Sequence, residues 1–420
     1  MRRNPEHINN NIYLIDSFVA KYDISHNDFK HSDIKHFIHA FDNINDFRKR
    51  INRCIWSASQ VLMMIIYAKL VGKCVSCTEI ANFCEAAKHK LYDLKIIDSP
   101  RTPTHDLFYK FINFWDGATL QEMVSLSIDK LLQRLSRKYV KKTSHYKYDL
   151  TQADGKSING TGRKGKHGNN YNFGVYNSSN ATLDYNISIS SKDSEITSFQ
   201  KVLPLLDIKS SIITADALHT QIVTCNLINE GKGYYVLPVK DNQPLLKEEI
   251  SARFIRTPKK VTIIEREKRT FSYIKVSQST GCEWPGQKAY IKMISRTKNE
   301  EGIEMLFITS LNKIEAAIEA IENRWDIEGE LHHPRDTILF EDKFRCQSLK
   351  STNNMAIINS TITTCLKMLA SLLHLSGPSA ARCYLVADPE RYLGIIFGVL
   401  EDKQLDKVIN RKIKEQKADK

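Results

Sequence analysis

The chain has 420 residues, 42% of them hydrophobic, and carries 61 Lys and Arg against 48 Asp and Glu, for a formal charge of +13. That size and apolar content allow a substantial core divided over two or three units, and the positive balance favours a polyanionic partner. The longest apolar run, "VLMMIIYA" at 61–68, is far short of the ~18–20 residues of a membrane helix, which excludes a membrane partner on this reading.

"MRRNPEHINN" at the start has a basic pair but no apolar stretch behind it, so no signal peptide is expected. Nine cysteines, an odd number, point to free thiols in a reducing compartment, hence a cytoplasmic location. Cys74, Cys77, Cys84 and His89 imitate a zinc site. Ile80, Phe83, Ala87 and Leu91 recur at helical spacing through the same stretch, and no second CxxC pair follows, so a helix with core cysteines is the expectation.

Residues 1–142 show apolar positions three and four apart and read as helical. In "TLQEMVSLSIDKLLQRLSRKYVKK" Thr119 and Glu122 form a capping box, Leu120, Val124, Ile128, Leu131 and Leu135 make one stripe, and the far end is basic. That end suits either the helix dipole or a DNA-facing patch. From 143 the period changes to two. "YKYDLTQAD", "NFGVYN" and "ATLDYNISIS" predict an antiparallel meander, with the first strand ending on Asp154. Helix "EITSFQKVLPLL", strand "SIITA", helix "HTQIVTCNLINEG" and strand "YYVLPV" alternate, which implies parallel neighbours joined by crossovers. Residues 255–310 return to strand patterns that look inserted. A long helix from 312 to about 331 follows, and the chain from 350 is mainly helical.

Three acids stand out. Asp216 sits at the carboxyl end of a strand, where open α/β sheets build their sites. Taken alone it could equally cap the next helix. Asp154 precedes Gly155 and Lys156 in a glycine-bearing stretch. Ile314, Ile318, Ile321 and Trp325 make an apolar stripe that continues to Glu328, so a carboxylate ends an inward face, where charge is costly unless paired or bound to metal. The structural alternative is a pair with Arg324, four residues back. Together the three acids fit a Mg²⁺ site, with two hard cations ~3.5–4 Å apart acting on a phosphodiester.

"DGKSINGTGR", "ITADALHTQ", "YYVLPVKDNQPLL", "WPGQ" and "NRWDIEGELHHPRDTILFEDKFR" resemble, in order, the blocks of the ISAs1 family of insertion-sequence transposases, the IS4-related group that includes H-repeat-associated proteins. "PTHDLFYKFINFWD" resembles its N-terminal block. The resemblance implies an α/β, RNase H-like mixed-sheet DDE core with a β-rich insertion, an all-α N-terminal region and C-terminal helices. It divides the chain into a DNA-end-binding region (1–142), the first core part (143–254), the insertion (255–310), the second core part (311–375) and a C-terminal segment (376–420). It makes Asp154, Asp216 and Glu328 the catalytic, metal-binding acids, with Mg²⁺ as cofactor and Mn²⁺ substituting. Lys156, Lys240, Asn242, Trp284, Arg324 and Arg335 become DNA contacts. As bare residues, Lys240 and Asn242 form an ordinary polar turn and Trp284 a core anchor equally well. Implied partners are double-stranded DNA, as terminal repeats and target, and a second copy in the synaptic complex, on the bacterial nucleoid. The chain departs from the family pattern at Ile321, where the wider signature has Tyr, and at "LHHPRD", which puts Pro334 near the helix end. Asp193, Glu195, Asp336, Glu341 and Asp342 match family blocks but are read as capping or pairing residues.

Overall fold

The computed structural model describes residues 54–121, 124, 148–161, 169–178, 181–189, 195–276, 284–297, 300–345, 348–372, 375–389 and 392–393. Its first helices are α1 (Ala58–Leu70), α2 (Cys77–Ala86), α3 (Lys88–Asp93) and α4 (His105–Phe114). Ser57 and Gln60 close a capping box on α1, the Gln60 amide donating to Ser57 Oγ at 3.2 Å and the Ser57 amide to Gln60 Oε1 at 2.9 Å. Cys77, Ile80 and Cys84 are buried on α2, and burial pushes the Cys84 thiol up to about 12.

A further helical stretch begins at 117. Asp116, not Thr119, caps it, accepting from the Thr119 amide at 3.0 Å. The expected capping partner Glu122 and the basic end at 134–142 lie outside the described residues.

The sheet carries β1 (Asp149–Ile158), β2 (Asn170–Asn177), β3 (Thr182–Ile189), β4 (Ser211–Ala215), β5 (Tyr234–Val239), β6 (Thr262–Glu265), β7 (Arg269–Lys275), β8 (Ala289–Thr297) and β9 (Glu300–Thr309). Between them run α5 (Glu195–Val202), α6 (Ile222–Glu230) and α7 (Pro244–Arg256). The strand order is β3-β2-β1-β4-β5-β9-β8-β7-β6. β1, β2 and β3 form the antiparallel meander, while β4 runs parallel to β1 and β5 parallel to β4. This is the RNase H-like order, a mixed α/β sheet with helices before and after it. All five residues of β4 are buried, as expected of a central parallel strand covered on both faces.

The β-rich stretch 255–310 extends the same sheet: β9 pairs antiparallel with β5, and β8, β7 and β6 carry the sheet outward. β5 offers a free edge whose amides and carbonyls need partners, and β9 supplies them.

The expected long acidic helix is broken. α8 (Ile314–Glu322) stops, a turn occupies 323–325, and a π-helical segment (Ile327–His332) leads into α9 (His333–Thr337). Pro334 lacks an amide, and its ring would crowd the carbonyl of Glu330 in a regular α-helix. The wider π turn, in which the His333 amide reaches Glu328 O, accommodates it. π segments of this kind collect at functional sites.

α10 (Leu349–Leu372) and α11 (Pro378–Ala387) pack with α1, α2 and α4 in one apolar core. Within it Lys69 is fully buried, donates to Leu339 O at 2.6 Å and lies over the Phe344 ring. Burial brings its pKa down to about 8. No helix among the described residues is long and apolar enough to cross a membrane.

Candidate acidic active site

β1 does not end at Asp154; it continues to Ile158. What ends there is its parallel ladder with β4, whose last pairs are Gln152 with Thr214 and Ala153 with Ala215. Asp154 and Asp216 are the next residues on the two strands. They therefore stand abreast where β4 stops and its backbone turns into a short helical turn, Ala217–His219.

Side chains alternate along a strand, so Gln152, Asp154 and Lys156 share one face of β1. That face meets the broken acidic helix in sequence order. Gln152 Nε2 donates to Asn323 O at 2.6 Å, Asp154 Oδ2 lies 3.8 Å from His332 Nδ1, and Lys156 Nζ lies 2.7 Å from Asp336 Oδ1. Gln152 thus captures a carbonyl at the helix break, and Glu328 falls within the stretch aligned on Asp154.

Burial pushes the Asp154 carboxyl up to about 7, aided by the negative charges of Asp216, Glu328 and Glu195, against a hydrogen bond from the Gly155 amide. His332 supplies no positive charge here. Burial, followed by the Arg335 and Lys156 cations, holds it down to about 3, so it is neutral near pH 7. Arg324, 8% exposed, donates from Nη1 to Asp216 Oδ1 at 3.2 Å and stacks on Trp325, its guanidinium carbon 4.1 Å from the ring. The salt bridge is thus made to Asp216 across the fold rather than to Glu328 along the helix. Trp325 itself is 37% exposed, because the break at 323–325 takes it off the apolar stripe.

Among the described residues no three His, Cys, Asp or Glu side chains are grouped tightly enough to enclose an ion; Arg324 meets the acidic charge instead. The donor chemistry nevertheless suits a hard divalent cation. It consists of carboxylate oxygens around Asp154, whose proton is held near neutrality first by burial and then by the neighbouring negative charges, a repulsion a cation relieves.

Lys156 and Arg335 are not DNA-facing. Arg335 is 1% exposed and clamps Glu341, with Nε and Nη2 donating to Oε1 at 3.0 and 2.8 Å. Lys156, also buried, lies within reach of Asp336, Glu341 and Asp342. Asn359 adds a hydrogen bond to Glu341 at 3.0 Å. Buried charges require such partners.

Trp284 is half-buried and packs on the core beneath the sheet, the anchoring role. Lys240 is exposed after β5. Asn242 turns its amide inward, Nδ2 donating to Ala217 O at 2.7 Å, and Gln243 Nε2 donates to Thr220 O at 2.9 Å. The polar turn therefore staples the loop behind Asp216. Asn242→Ala is expected to cost about 1 kcal/mol of stability, measured by urea unfolding; an unchanged midpoint would remove the staple from the account.

Glu195, read from the sequence as a capping or pairing residue, lies beside the site. An acid in the first turn of a helix is explained by the helix dipole, so its match to a family block carried no argument for the site.

The strand order is RNase H-like, and Asp154 and Asp216 stand side by side where its parallel ladder ends. Residues 129–365 match the family model of the Transposase DDE domain, and the chain belongs to that family. It is 28% identical over 255 residues to the "Putative transposase YncI" of Escherichia coli O157:H7, covering 54% of this chain and 64% of that protein. Over 218 residues it is 24% identical to the "H repeat-associated putative transposase YhhI" of Escherichia coli strain K12, covering 46% and 57%. The chain thus spans less than two thirds of the length of these relatives. A solved piggyBac transposase synaptic complex with hairpin DNA aligns over 98% of this chain and 87% of that one, at 12% identity and a TM-score of 0.40.

Proposed function

We propose that the chain is the transposase of an insertion sequence of the ISAs1 group, cutting DNA at the element ends and joining the 3′-OH ends to target DNA. The observation that carries this is the pair Asp154 and Asp216, abreast where the β1–β4 ladder stops, with the Glu328 segment laid along the same face of β1. Asp154, Asp216 and Glu328 would hold Mg²⁺, or Mn²⁺ in its place. Divalent cations, when bound there, would supply activation of the attacking oxygen and charge stabilisation of the leaving oxygen of a phosphodiester.

The residues themselves fix geometry. Gln152 and Lys156 align the acidic segment on β1, and Asn242 and Gln243 brace the loop after Asp216. Exposed Lys240 supplies positive charge for DNA phosphates, and Arg324, closed on Asp216 until a cation displaces it, joins Lys240 once released. In this reading residues 1–142 bind element ends, 143–254 and 311–375 form the core interrupted by 255–310, and 376–420 closes the chain. Two copies pair the ends, on nucleoid DNA in the cytoplasm.

The contact of Arg324 with Asp216 favours a second reading, a non-catalytic DNA-binding protein in which an arginine has permanently neutralised the site. Supercoiled plasmid carrying the gene's own flanking DNA, incubated with protein and Mg²⁺, separates the two. Nicks at the element ends are expected. DNA binding without nicks supports the second reading, and cutting that ignores the ends makes the protein a general nuclease.

A further inference from the structure

The residue after Asp154 is Gly155, and it has no room for a side chain. A Cβ built there would lie 2.1 Å from Glu195 Oε1 and 2.6 Å from the carboxyl carbon. The glycine is therefore a window through which a carboxylate on α5 reaches the backbone beside Asp154. It does so from the sheet face opposite the acidic helix. Gly155 pairs with Phe173 on β2, and Phe173 packs on Phe199 of α5, whereas Asp154 faces the other way.

Glu195 is 4% exposed, a placement that costs several kcal/mol for a charge without compensation. Its other oxygen, Oε2, lies 3.9 Å from His219 Nε2. His219 ends the turn that begins at Asp216 and is packed between Phe173 and Phe199, with ring centroids at 5.4 and 5.1 Å. One carboxylate thus touches the residue after Asp154 and the end of the turn after Asp216.

We propose that Glu195 is a fourth carboxylate of the acidic site: a positioning residue that spans the two aspartate-bearing strand ends from below the sheet and keeps the site negative enough to take up a divalent cation. The proposal rests on the metal reading given above. Glu195 acts through Asp154 and the Asp216 turn rather than by touching DNA, and Gly155 is glycine so that it can.

The test is Mn²⁺ uptake by the full chain, measured by titration calorimetry without DNA, alongside the Mg²⁺ concentration that half-saturates end cleavage. Glu195→Gln keeps the shape and removes the charge. Gly155→Ala keeps all four acids and pushes the carboxylate away. Each is expected to weaken Mn²⁺ binding by about 10- to 100-fold, the usual consequence of losing support behind a metal ligand, and to raise the half-saturating Mg²⁺ in step. A purely structural role would instead lower activity equally at every Mg²⁺ concentration. Should Glu195→Gln fail to fold, as judged by its unfolding transition, Gly155→Ala carries the same reading. Wild-type Mn²⁺ affinity in a folded Glu195→Gln chain overturns the proposal alone. A wild-type chain that takes up no Mn²⁺ overturns the metal reading and the proposal together.

Discussion

Glu328→Gln is expected to lower DNA end cleavage by on the order of a thousandfold or more while leaving end binding intact. The change keeps the size of the side chain and removes the charge that, with Asp154 and Asp216, would hold the cation. A metal centre supplies several kcal/mol of transition-state charge stabilisation, and each ~1.4 kcal/mol is a tenfold change in rate. Binding should persist because the expected phosphate contacts, Lys240 and Arg324, remain. The variant also relieves one of the charges that raise Asp154, so its fold should not suffer. Gel-shift binding and plasmid nicking on the same preparation measure the two effects separately. A variant that nicks like wild type removes Glu328 from the site.

The second large effect is on stability. Glu341 is 3% exposed; burial alone would raise its pKa, but Arg335 and Lys156 outweigh burial and hold it down to about 2. Glu341→Ala leaves the fully buried Arg335 guanidinium without its clamp. Breaking a buried pair in this way costs about 3–5 kcal/mol. The pH dependence has a definite sign. Because the folded-state value lies below the ordinary 4.5, the stabilisation is complete above pH 4.5 and is lost as pH falls toward about 2. Urea unfolding of wild type and variant should therefore differ strongly at pH 7 and converge as the medium is acidified. Equal stability at pH 7 would show that the cluster contributes nothing net. Because Lys156 and Asp336 belong to the same cluster, its loss should also loosen the alignment of the Glu328 segment on β1.

The sheet core was legible because its signals are local. "SIITA" and "YYVLPV" are short apolar runs with turn residues on both sides, and both are strands at the expected positions. The three acids drew attention through the places the sequence expects them to hold, strand ends and an inward helix face; in the fold Asp154 lies within β1 and Glu328 is exposed beyond the helix break. Long-range pairing was not. Lys156 and Arg335 read as exposed bases beside a site, and nothing within a few residues of either shows that their partners lie on a second buried segment. The acidic helix misled for a related reason. The stripe Ile314, Ile318, Ile321, Trp325 has helical spacing, but Pro334 forces a wider turn and Gln152, from a strand 171 residues away in sequence, takes the Asn323 carbonyl. Glu195 shows the same limit from the other side. Its relevance lies in a glycine 40 residues earlier, a proximity that only the folded sheet creates.

The most direct measurement is the anomalous scattering of Mn²⁺ in crystals of the full chain bound to DNA carrying the element end. Mn²⁺ is expected between the carboxylates of Asp154, Asp216 and Glu328, with the Arg324 guanidinium released from Asp216. Mn²⁺ elsewhere, with Arg324 still closed on Asp216, would contradict that placement and leave the neutralised DNA-binding protein as the better description.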